Sequence, residues 1–306
     1  MTHPTPLLAQ CVEHLRPRID SALSQYTDLA ADCPAELREA MRYSLLAPGK
    51  RIRPLLVLLS AQACGGGPET AMPAACAVEM VHTYSLIHDD LPAMDDDDLR
   101  RGRPTCHKKF GEALAILAGD ALLALGFEVV ARHIQPAAVA ARCCAELAAA
   151  AGPCCLVGGQ ADDCLGKLRR SDSEDASPES GMVRLESIHQ RKTGAMIAVS
   201  LRLGALAAGA DAARLASLDR FGRCLGLAFQ ITDDLLDVRG AEAEVGKRLG
   251  KDSNRGKLTF PGLLGIDRSV RRAEELIDEG CDALAPLGSQ ADGLKAVARY
   301  VLERNL

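Results

Sequence analysis

Apolar residues recur at three-to-four-residue spacing along most of the chain, and no run alternates apolar and polar residues. This spacing places apolar side chains on one face of an α-helix. Stretches rich in glycine and proline, such as residues 65–68, interrupt the pattern and end the predicted helices. We therefore expect an all-α protein. The predicted helices cover residues 6–28, 35–46, 51–64, 69–90, 108–132, 137–151, 154–167, 182–208, 212–239, 259–280 and 291–303.

An acidic cluster lies late in the chain, in a predicted helix whose other face is apolar. Asp233 and Asp237 are four residues apart and share a face. Side chains at this spacing have Cβ atoms about 5–6 Å apart. At an effective dielectric constant of about 20, two ionised carboxylates there repel by roughly 3 kcal/mol. A solvated acidic face would explain one such cluster, but a bound cation becomes the better interpretation when a second cluster is found.

That other cluster, the first in chain order, lies where a predicted helix runs into Asp89 and Asp90 and Asp95 follows; the cluster at Asp233 and Asp237 is the second. Pro92 disfavours helical geometry at Leu91, so these carboxylates should lie near a helix C-terminus. The unpaired carbonyls and the negative end of the helix dipole also attract cations there. Hard oxygen ligands favour Mg²⁺, or alternatively Mn²⁺, over zinc.

Composition narrows the class of protein. With 306 residues and no evident linker, the chain is predicted to form one domain, residues 1–306. The net charge of −5 comes without a basic stripe, so nucleic acid is not an expected partner. No apolar run reaches about 18 residues without a charge, and the N-terminus does not resemble a signal peptide. We expect a cytoplasmic protein without stable membrane insertion.

Basic residues lie close to the acidic clusters in the sequence. Gly49–Pro54, with the sequence GKRIRP, opens a predicted helix, and Arg100–Thr105, with the sequence RRGRPT, follows the first cluster. Lys247 follows the second cluster. A helix start that carries Lys and Arg suits phosphate, although each basic run alone is more often a solvated face. Together with Mg²⁺, they suggest a diphosphate substrate.

These motifs, in this order, strongly resemble the trans-isoprenyl diphosphate synthases, and within that family the bacterial farnesyl diphosphate synthases (geranyltranstransferases). The resemblance runs nearly end to end. The matching segments are Gly49–Pro54, His82–Asp90, Asp89–Asp95, Arg100–Thr105, Gly158–Gln160, Lys192–Gly194, Phe229–Asp237 and Gly246–Lys247.

The resemblance implies a homodimer of isoprenoid-synthase-type helical bundles, each around a deep central cavity, with the two aspartate motifs facing each other at its mouth. Asp89, Asp95 and Asp233 would bind three Mg²⁺ ions. Three further aspartates would support them as ligands or through water: Asp90, Asp234 and Asp237.

The same resemblance implies two substrate sites. Arg100, Lys192 and Lys247 would hold the allylic diphosphate. Isopentenyl diphosphate would be held by Lys50, Arg53, His82 and Arg101. Thr193, Gln230 and the Lys192 carbonyl would present oxygen dipoles to the allylic carbocation, which is why we count Lys192, Thr193 and Gln230 as catalytic.

Product length should depend on the floor of the cavity. Tyr84 lies five residues before Asp89, about 7.5 Å along a helix axis. In the family, an aromatic residue here limits the product to fifteen carbons, so farnesyl diphosphate is expected. His88 is interpreted as structural, and Asp96, Asp97 and Asp98 as a solvated loop. The alternatives are a geranylgeranyl diphosphate synthase and an inactive regulatory subunit. A class I terpene cyclase is disfavoured by the second aspartate motif.

Overall fold

The structure, a computed structural model, describes residues 6–29, 33–169, 178–243 and 259–303. Helices dominate these residues, and the strands among them form one short hairpin, so the all-α prediction is confirmed. The elements are α1 (Pro6–Tyr26), α2 (Ala35–Leu45), α3 (Ile52–Ala63), α4 (Pro68–Asp89), β1 (Leu99–Arg100), β2 (Arg103–Pro104), α5 (Cys106–Phe110), α6 (Glu112–His133), α7 (Ala137–Ala151), α8 (Leu156–Arg169), α9 (Pro178–His189), a π-helical turn (Gln190–Gly194), α10 (Ala195–Ala207), α11 (Ala212–Ala243), α12 (Phe260–Leu264), α13 (Ile266–Ala283), a 3₁₀ helix (Ala285–Ala291) and α14 (Asp292–Glu303).

Contacts divide the chain into two compact units. The N-terminal unit comprises Gln10–Leu147 and Arg202–Ala210. The C-terminal unit comprises Met1–Ala9, Ala148–Leu201 and Asp211–Leu306. The single domain expected from the sequence stays a prediction.

Helix α4 forms the core of the N-terminal unit, packed against α3 and α6. Its residues from Ala71 to Val81 are all buried, so this stretch is covered on every side. Many of its side chains are small, including Ala74, Ala75 and Ala77, and this lets neighbouring helices approach closely. A helix with apolar residues on all its faces is buried in this way, and Glu79, the charged residue of this stretch, is buried with it.

Helix α11 plays the same role in the C-terminal unit, where it packs against α13 and α14. Phe221, Leu225, Ala228 and Ile231 are nearly or fully inaccessible to solvent. These positions follow the three-to-four spacing recognised in the sequence. The face that carries them fixes the rotation of α11 and hence the direction of its acidic residues.

Three predicted helices are interrupted. The π-helical turn lies within the predicted helix 182–208. The predicted helix 259–280 is broken at Gly265, whose φ of 80° is left-handed. The predicted helix 108–132 is broken at Gly111, whose φ of 86° is left-handed, so that its first residues belong to α5. The prediction missed the hairpin, because two-residue strands leave no periodic signal.

Two apolar segments, Glu112–His133 and Ala137–Leu165, are long and apolar enough to cross a membrane by length and composition, with mean hydropathies of 2.0 and 1.4. Charged residues interrupt both segments, with Asp120 and Glu128 in the first, so neither contains a charge-free run of about 18 residues. Helix α6 packs against α4, and the core helix of a water-soluble protein meets the same criterion. The two segments are thus weak evidence for membrane insertion.

All twelve cysteines are free thiols. Cys64, Cys76, Cys106, Cys143 and Cys224 are buried. These five fit the interpretation of cysteine as a small apolar core residue.

Candidate active site

The first aspartate cluster lies where α4 ends. Asp89 is the last residue of the helix, and the following loop folds back so that the Asp95 amide donates to the Asp89 carbonyl at 2.8 Å. Asp96 adopts a left-handed conformation, with φ of 50°, and its amide donates to the Leu91 carbonyl. The loop therefore brings the backbone of Asp95 to the end of the helix that carries Asp89, as the sequence predicted.

Asp90 turns inward. It is 3% exposed and accepts three hydrogen bonds from Arg100, at 2.9, 2.9 and 2.6 Å. Burial raises the pKa of Asp90, and the Arg100 guanidinium opposes this shift. Arg100 belongs to β1, so this charge-assisted pair fastens the hairpin to the C-terminus of α4.

The hairpin directs Arg101. Arg101 and Gly102 have φ of 54° and 74° between paired strands, the conformation of a type I′ turn. The Arg101 guanidinium donates to the Pro48 carbonyl at 2.9 Å. A Cβ atom on Gly49 would lie 2.5 Å from this guanidinium, so a larger residue there would displace the Arg101 side chain. Two segments distant in sequence, the hairpin and the start of α3, thereby meet.

Arg53 and His82 are in direct contact, with Arg53 Nη1 3.2 Å from His82 Nε2. A guanidinium can only donate, so Nε2 must accept and the imidazole must be neutral. Loss of solvation on burial, followed by the nearby Arg53 charge, holds the pKa of His82 well below its usual range. Lys50 is exposed beside this pair in sequence. The structure thus places Lys50, Arg53, His82 and Arg101 in one unit.

Tyr84 is buried in α4, with 8% of its surface exposed. Burial, and then the charge of Asp89, raise its pKa. The ring of His88 packs edge-on against Tyr84, with centroids 5.3 Å apart. His88 Nε2 also lies 3.0 Å from the Ile116 carbonyl of α6. These contacts agree with a structural role for His88.

A cluster that the sequence interpretation did not single out lies beside the first motif. Asp96, Asp98 and His107 place potential metal ligand atoms within 4.8 Å of one another. Asp96 and Asp98 are exposed, as expected for a solvated loop, but His107 is buried. Lys108 already neutralises Asp98, at 2.8 Å. His107 belongs to α5, which follows the hairpin directly in sequence, and the periodic pattern did not predict that hairpin.

The second aspartate cluster lies on α11 in the C-terminal unit. Asp233 is half-buried and Asp237 is exposed, whereas Asp234 is 5% exposed. Asp234 accepts a hydrogen bond from the Phe260 amide at 2.9 Å, and His189 Nε2 lies 3.6 Å away. Asp234 therefore anchors the start of α12, while Asp233 and Asp237 remain on a common face.

The π-helical turn carries Lys192 and Thr193. Thr193 Oγ1 donates to Gln230 Oε1 of α11 at 3.0 Å, so two residues predicted to face the carbocation are in contact. Lys192 Nζ lies 3.3 Å from Asp163 of α8, a partner that the sequence interpretation missed. The signal was present, since Asp163 follows the Gly158–Gln160 motif closely. Isolated π-turns are rare in helices and are frequent at functional sites.

The contacts described above do not test two of the predictions. Lys247, with Lys257, lies outside the described residues. The facing of the two aspartate motifs involves both units and stays a prediction.

The donors present fit Mg²⁺. Asp89 and Asp95 supply carboxylate oxygens at a helix C-terminus, joined by the backbone hydrogen bond between them. Asp233 and Asp237 supply a second pair of carboxylates on one helical face. Such a hard, all-oxygen donor set suits Mg²⁺, which prefers carboxylates combined with substrate phosphates.

Comparison with known proteins gives the family. The model of the polyprenyl synthetase family matches residues 34–284 of this chain. The chain belongs to the polyprenyl synthetase family. A farnesyl diphosphate synthase of Geobacillus stearothermophilus is 48% identical over 260 residues, which cover 84% of each chain. A chloroplastic geranylgeranyl pyrophosphate synthase 11 of Arabidopsis thaliana is 47% identical over 277 residues, covering 89% of this chain and 76% of the relative.

Solved structures agree. The apo crystal structure of an FPP/GFPP synthase from Zymomonas mobilis superposes with a TM-score of 0.84 and 36% identity, covering 96% of this chain and 98% of the other. The resemblance inferred from the motifs is confirmed. This polyprenyl synthetase is a prenyltransferase of isoprene biosynthesis that elongates prenyl chains, and prenyl synthases use Mg²⁺.

Proposed function

We propose that this prenyltransferase condenses isopentenyl diphosphate with dimethylallyl or geranyl diphosphate to give (2E,6E)-farnesyl diphosphate. The observation that carries the proposal is Tyr84, buried in α4 five residues before Asp89. A bulky aromatic ring at this depth would block a growing chain. The relative named farnesyl diphosphate synthase supports the same product.

Asp89, Asp95 and Asp233 would hold Mg²⁺, with three ions when substrate is bound. When bound, the metal ions would supply charge neutralisation for the leaving diphosphate. Lys192, Lys247 and Arg100 would hold the same diphosphate. The diphosphate-binding role of Arg100 is supported by its three hydrogen bonds to Asp90, which fix the orientation of the Arg100 guanidinium.

Isopentenyl diphosphate would bind Lys50, Arg53, His82 and Arg101. A neutral His82 suits this site, because it can accept from Arg53 and leave the guanidinium charge for the diphosphate. The Pro48 carbonyl accepts a hydrogen bond from Arg101 and so holds the Arg101 guanidinium beside the segment that precedes α3. Positive charge on the Arg and Lys side chains would attract the anion and fix its position.

The reaction breaks the allylic C–O bond, forms a carbon–carbon bond to isopentenyl diphosphate and releases one proton, for which the departing pyrophosphate is the base. Thr193, Gln230 and the Lys192 carbonyl would direct oxygen dipoles at the allylic cation. The hydrogen bond from Thr193 to Gln230 supports this role. Because the Thr193 hydroxyl donates its proton to the Gln230 amide oxygen, a lone pair of the hydroxyl oxygen can point toward the cation. Apolar walls would exclude water from the cation.

The functional unit would be a cytoplasmic homodimer. Ile116 and Leu117 on α6 are 42% and 54% exposed and offer an apolar surface for a second copy. Burial of such side chains favours association. Sedimentation of the purified protein tests this, and a monomer at assay concentrations would contradict it.

A geranylgeranyl product is the second candidate, favoured by the identity to plant relatives of that name. An inactive regulatory subunit is the third, and the presence of both aspartate motifs speaks against it. Incubation with isopentenyl diphosphate and each allylic diphosphate, with and without Mg²⁺, separates all three candidates by product length.

The Asp233→Asn variant should lose at least about 100-fold in kcat, whereas Asp219→Asn, which changes a half-buried aspartate on the same helix, should not. A twenty-carbon product would contradict the proposal, and no product with any metal would favour the regulatory subunit.

A further inference from the structure

A buried ion-pair network lies directly behind the residues proposed to hold isopentenyl diphosphate. Arg51, between Lys50 and Arg53 in sequence, is 5% exposed. Its guanidinium donates to Glu79 of α4 at 2.9 Å, to Asp20 of α1 at 2.8 Å and to the Ala47 carbonyl at 3.1 Å. Arg51 therefore points away from its neighbours and into the protein, where it joins three segments of the N-terminal unit.

The backbone at Arg51 is held in an unusual conformation. Its φ of 52° is left-handed, although it is not glycine, and it is the N-cap of α3. Such a conformation persists only where surrounding contacts fix it. The reversal of direction at this residue sends the Arg51 side chain inward, away from the exposed Lys50. The three acceptors around the guanidinium are the contacts that hold it.

Glu79 connects this network to His82. The two residues lie three apart on α4, so they share a face of the helix. The start of α3 is consequently joined to α4 twice, by Arg51 to Glu79 and by Arg53 to His82 at 3.2 Å. Movement of the first contact would displace the second.

The network also offsets charge. Four arginines, Arg53, Arg101, Arg100 and Arg51, are close enough to His82 for their charges to depress its protonation. Like charges at such distances repel. Glu79 is 4% exposed and contributes a compensating negative charge, and it favours the charged form of Arg101 as well. Without Glu79, the cationic groups would spread apart.

We propose that Arg51, fixed by Glu79 and Asp20, is a positioning residue for the isopentenyl diphosphate site: it sets the direction of Lys50 and the contact of Arg53 with His82 without touching substrate. The inference rests on the proposed function, because it assigns a role relative to that substrate site.

Three changes test the proposal in a graded way. Glu79→Gln removes the buried charge, and Asp20→Asn weakens the network at a carboxylate that is 40% exposed, so this variant should fold. The double variant Arg51→Met with Glu79→Leu removes both buried charges together, a replacement that proteins often tolerate. Glu146→Gln is the matched control, because it disrupts another Arg–Glu pair of the same unit, with Arg202.

Steady-state kinetics should show KM for isopentenyl diphosphate raised about tenfold in Glu79→Gln and in the double variant, and about threefold in Asp20→Asn, with KM for the allylic diphosphate unchanged. Glu146→Gln should keep both wild-type values. Thermal unfolding separates stability from positioning, since the double variant should match wild-type stability and still bind isopentenyl diphosphate weakly. An unchanged KM in the folded Asp20→Asn and double variants, or equal changes for both substrates, would overturn the inference. Absence of condensation by the wild-type enzyme would instead contradict the proposed function.

Discussion

The contact between Arg53 and His82 requires a neutral imidazole, because the guanidinium has no lone pair to accept a hydrogen bond. The low pKa of His82 in the folded protein, caused by burial and then by the Arg53 charge, has a consequence for stability. The unfolded chain binds a proton at this residue near a pKa of about 6.5, and the folded protein does not. Stability that is present above this pKa is therefore lost as the pH falls below it toward the folded value.

The magnitude follows from linkage. If the folded state takes up no proton at His82, the loss relative to alkaline pH is RT ln(1 + 10^(pKa − pH)), or about 0.4 kcal/mol at a pH of about 6.5 and about 1.4 kcal/mol one unit lower. His82→Gln keeps an oxygen that can accept from Arg53 and cannot titrate. The free energy of unfolding of the wild type should therefore fall by about 1.4 kcal/mol more than that of the variant between pH of about 8 and about 5.5.

Urea denaturation of both proteins across this range measures the difference, and titrations common to the two proteins cancel. His14→Gln, which removes an exposed histidine of α1, is the matched control and should follow the wild-type profile. Parallel pH profiles for wild type and His82→Gln would refute the reasoning, because they would mean that His82 gains its proton as readily in the folded protein as in the unfolded chain.

Three further predictions address product length, packing and cysteine chemistry. Tyr84→Ala should give products longer than fifteen carbons in chain-length analysis, and unchanged output would remove Tyr84 as the cavity floor. Gly204→Ala should destabilise the protein by about 3 kcal/mol or more, because its Cβ would lie 2.0 Å from the Val57 carbonyl oxygen. Gly67→Ala, with open space at the same atom, should cost at most about 1 kcal/mol in the same denaturation assay. In a thiol-labelling assay near neutral pH, exposed Cys154 should react first, while Cys143, whose pKa burial raises to about 12, should stay protected; early modification of Cys143 would contradict its burial.

The sequence was most informative for long helices, because their apolar pattern repeats over many residues and their ends carry proline or glycine. Helix α7 was predicted as residues 137–151 and is Ala137–Ala151, because Pro136 and Gly152 mark its ends. The aspartates at the C-terminus of α4 were placed correctly for the same reason, since Pro92 ends the helical pattern. Helix ends with glycine or proline beside an apolar run can be recognised without tertiary information.

Features that depend on distant residues were not predictable. Nothing local shows that Arg51 turns inward while Lys50 stays exposed, because the choice is made by Glu79 and Asp20, which are 28 and 31 residues away. The pairing of Asp90 with Arg100 requires the hairpin, whose strands have two residues each. Tertiary contacts of this kind override local propensity.

The π-helical turn between α9 and α10 also constrains which sequence changes the protein can accept in evolution. Each residue of an α-helix rotates the chain by about 100°, so a single extra residue redirects every side chain beyond it. Deleting one residue from Gln190–Gly194 could restore regular helical geometry, but it would turn the buried face of α10, including Met196 and Ile197, away from its present neighbours. Substitutions at exposed positions of α9 can accumulate one at a time, whereas a change in the length of this turn would demand simultaneous repacking. The spacing between α9 and α10 is thus a property on which selection can act independently of residue identity.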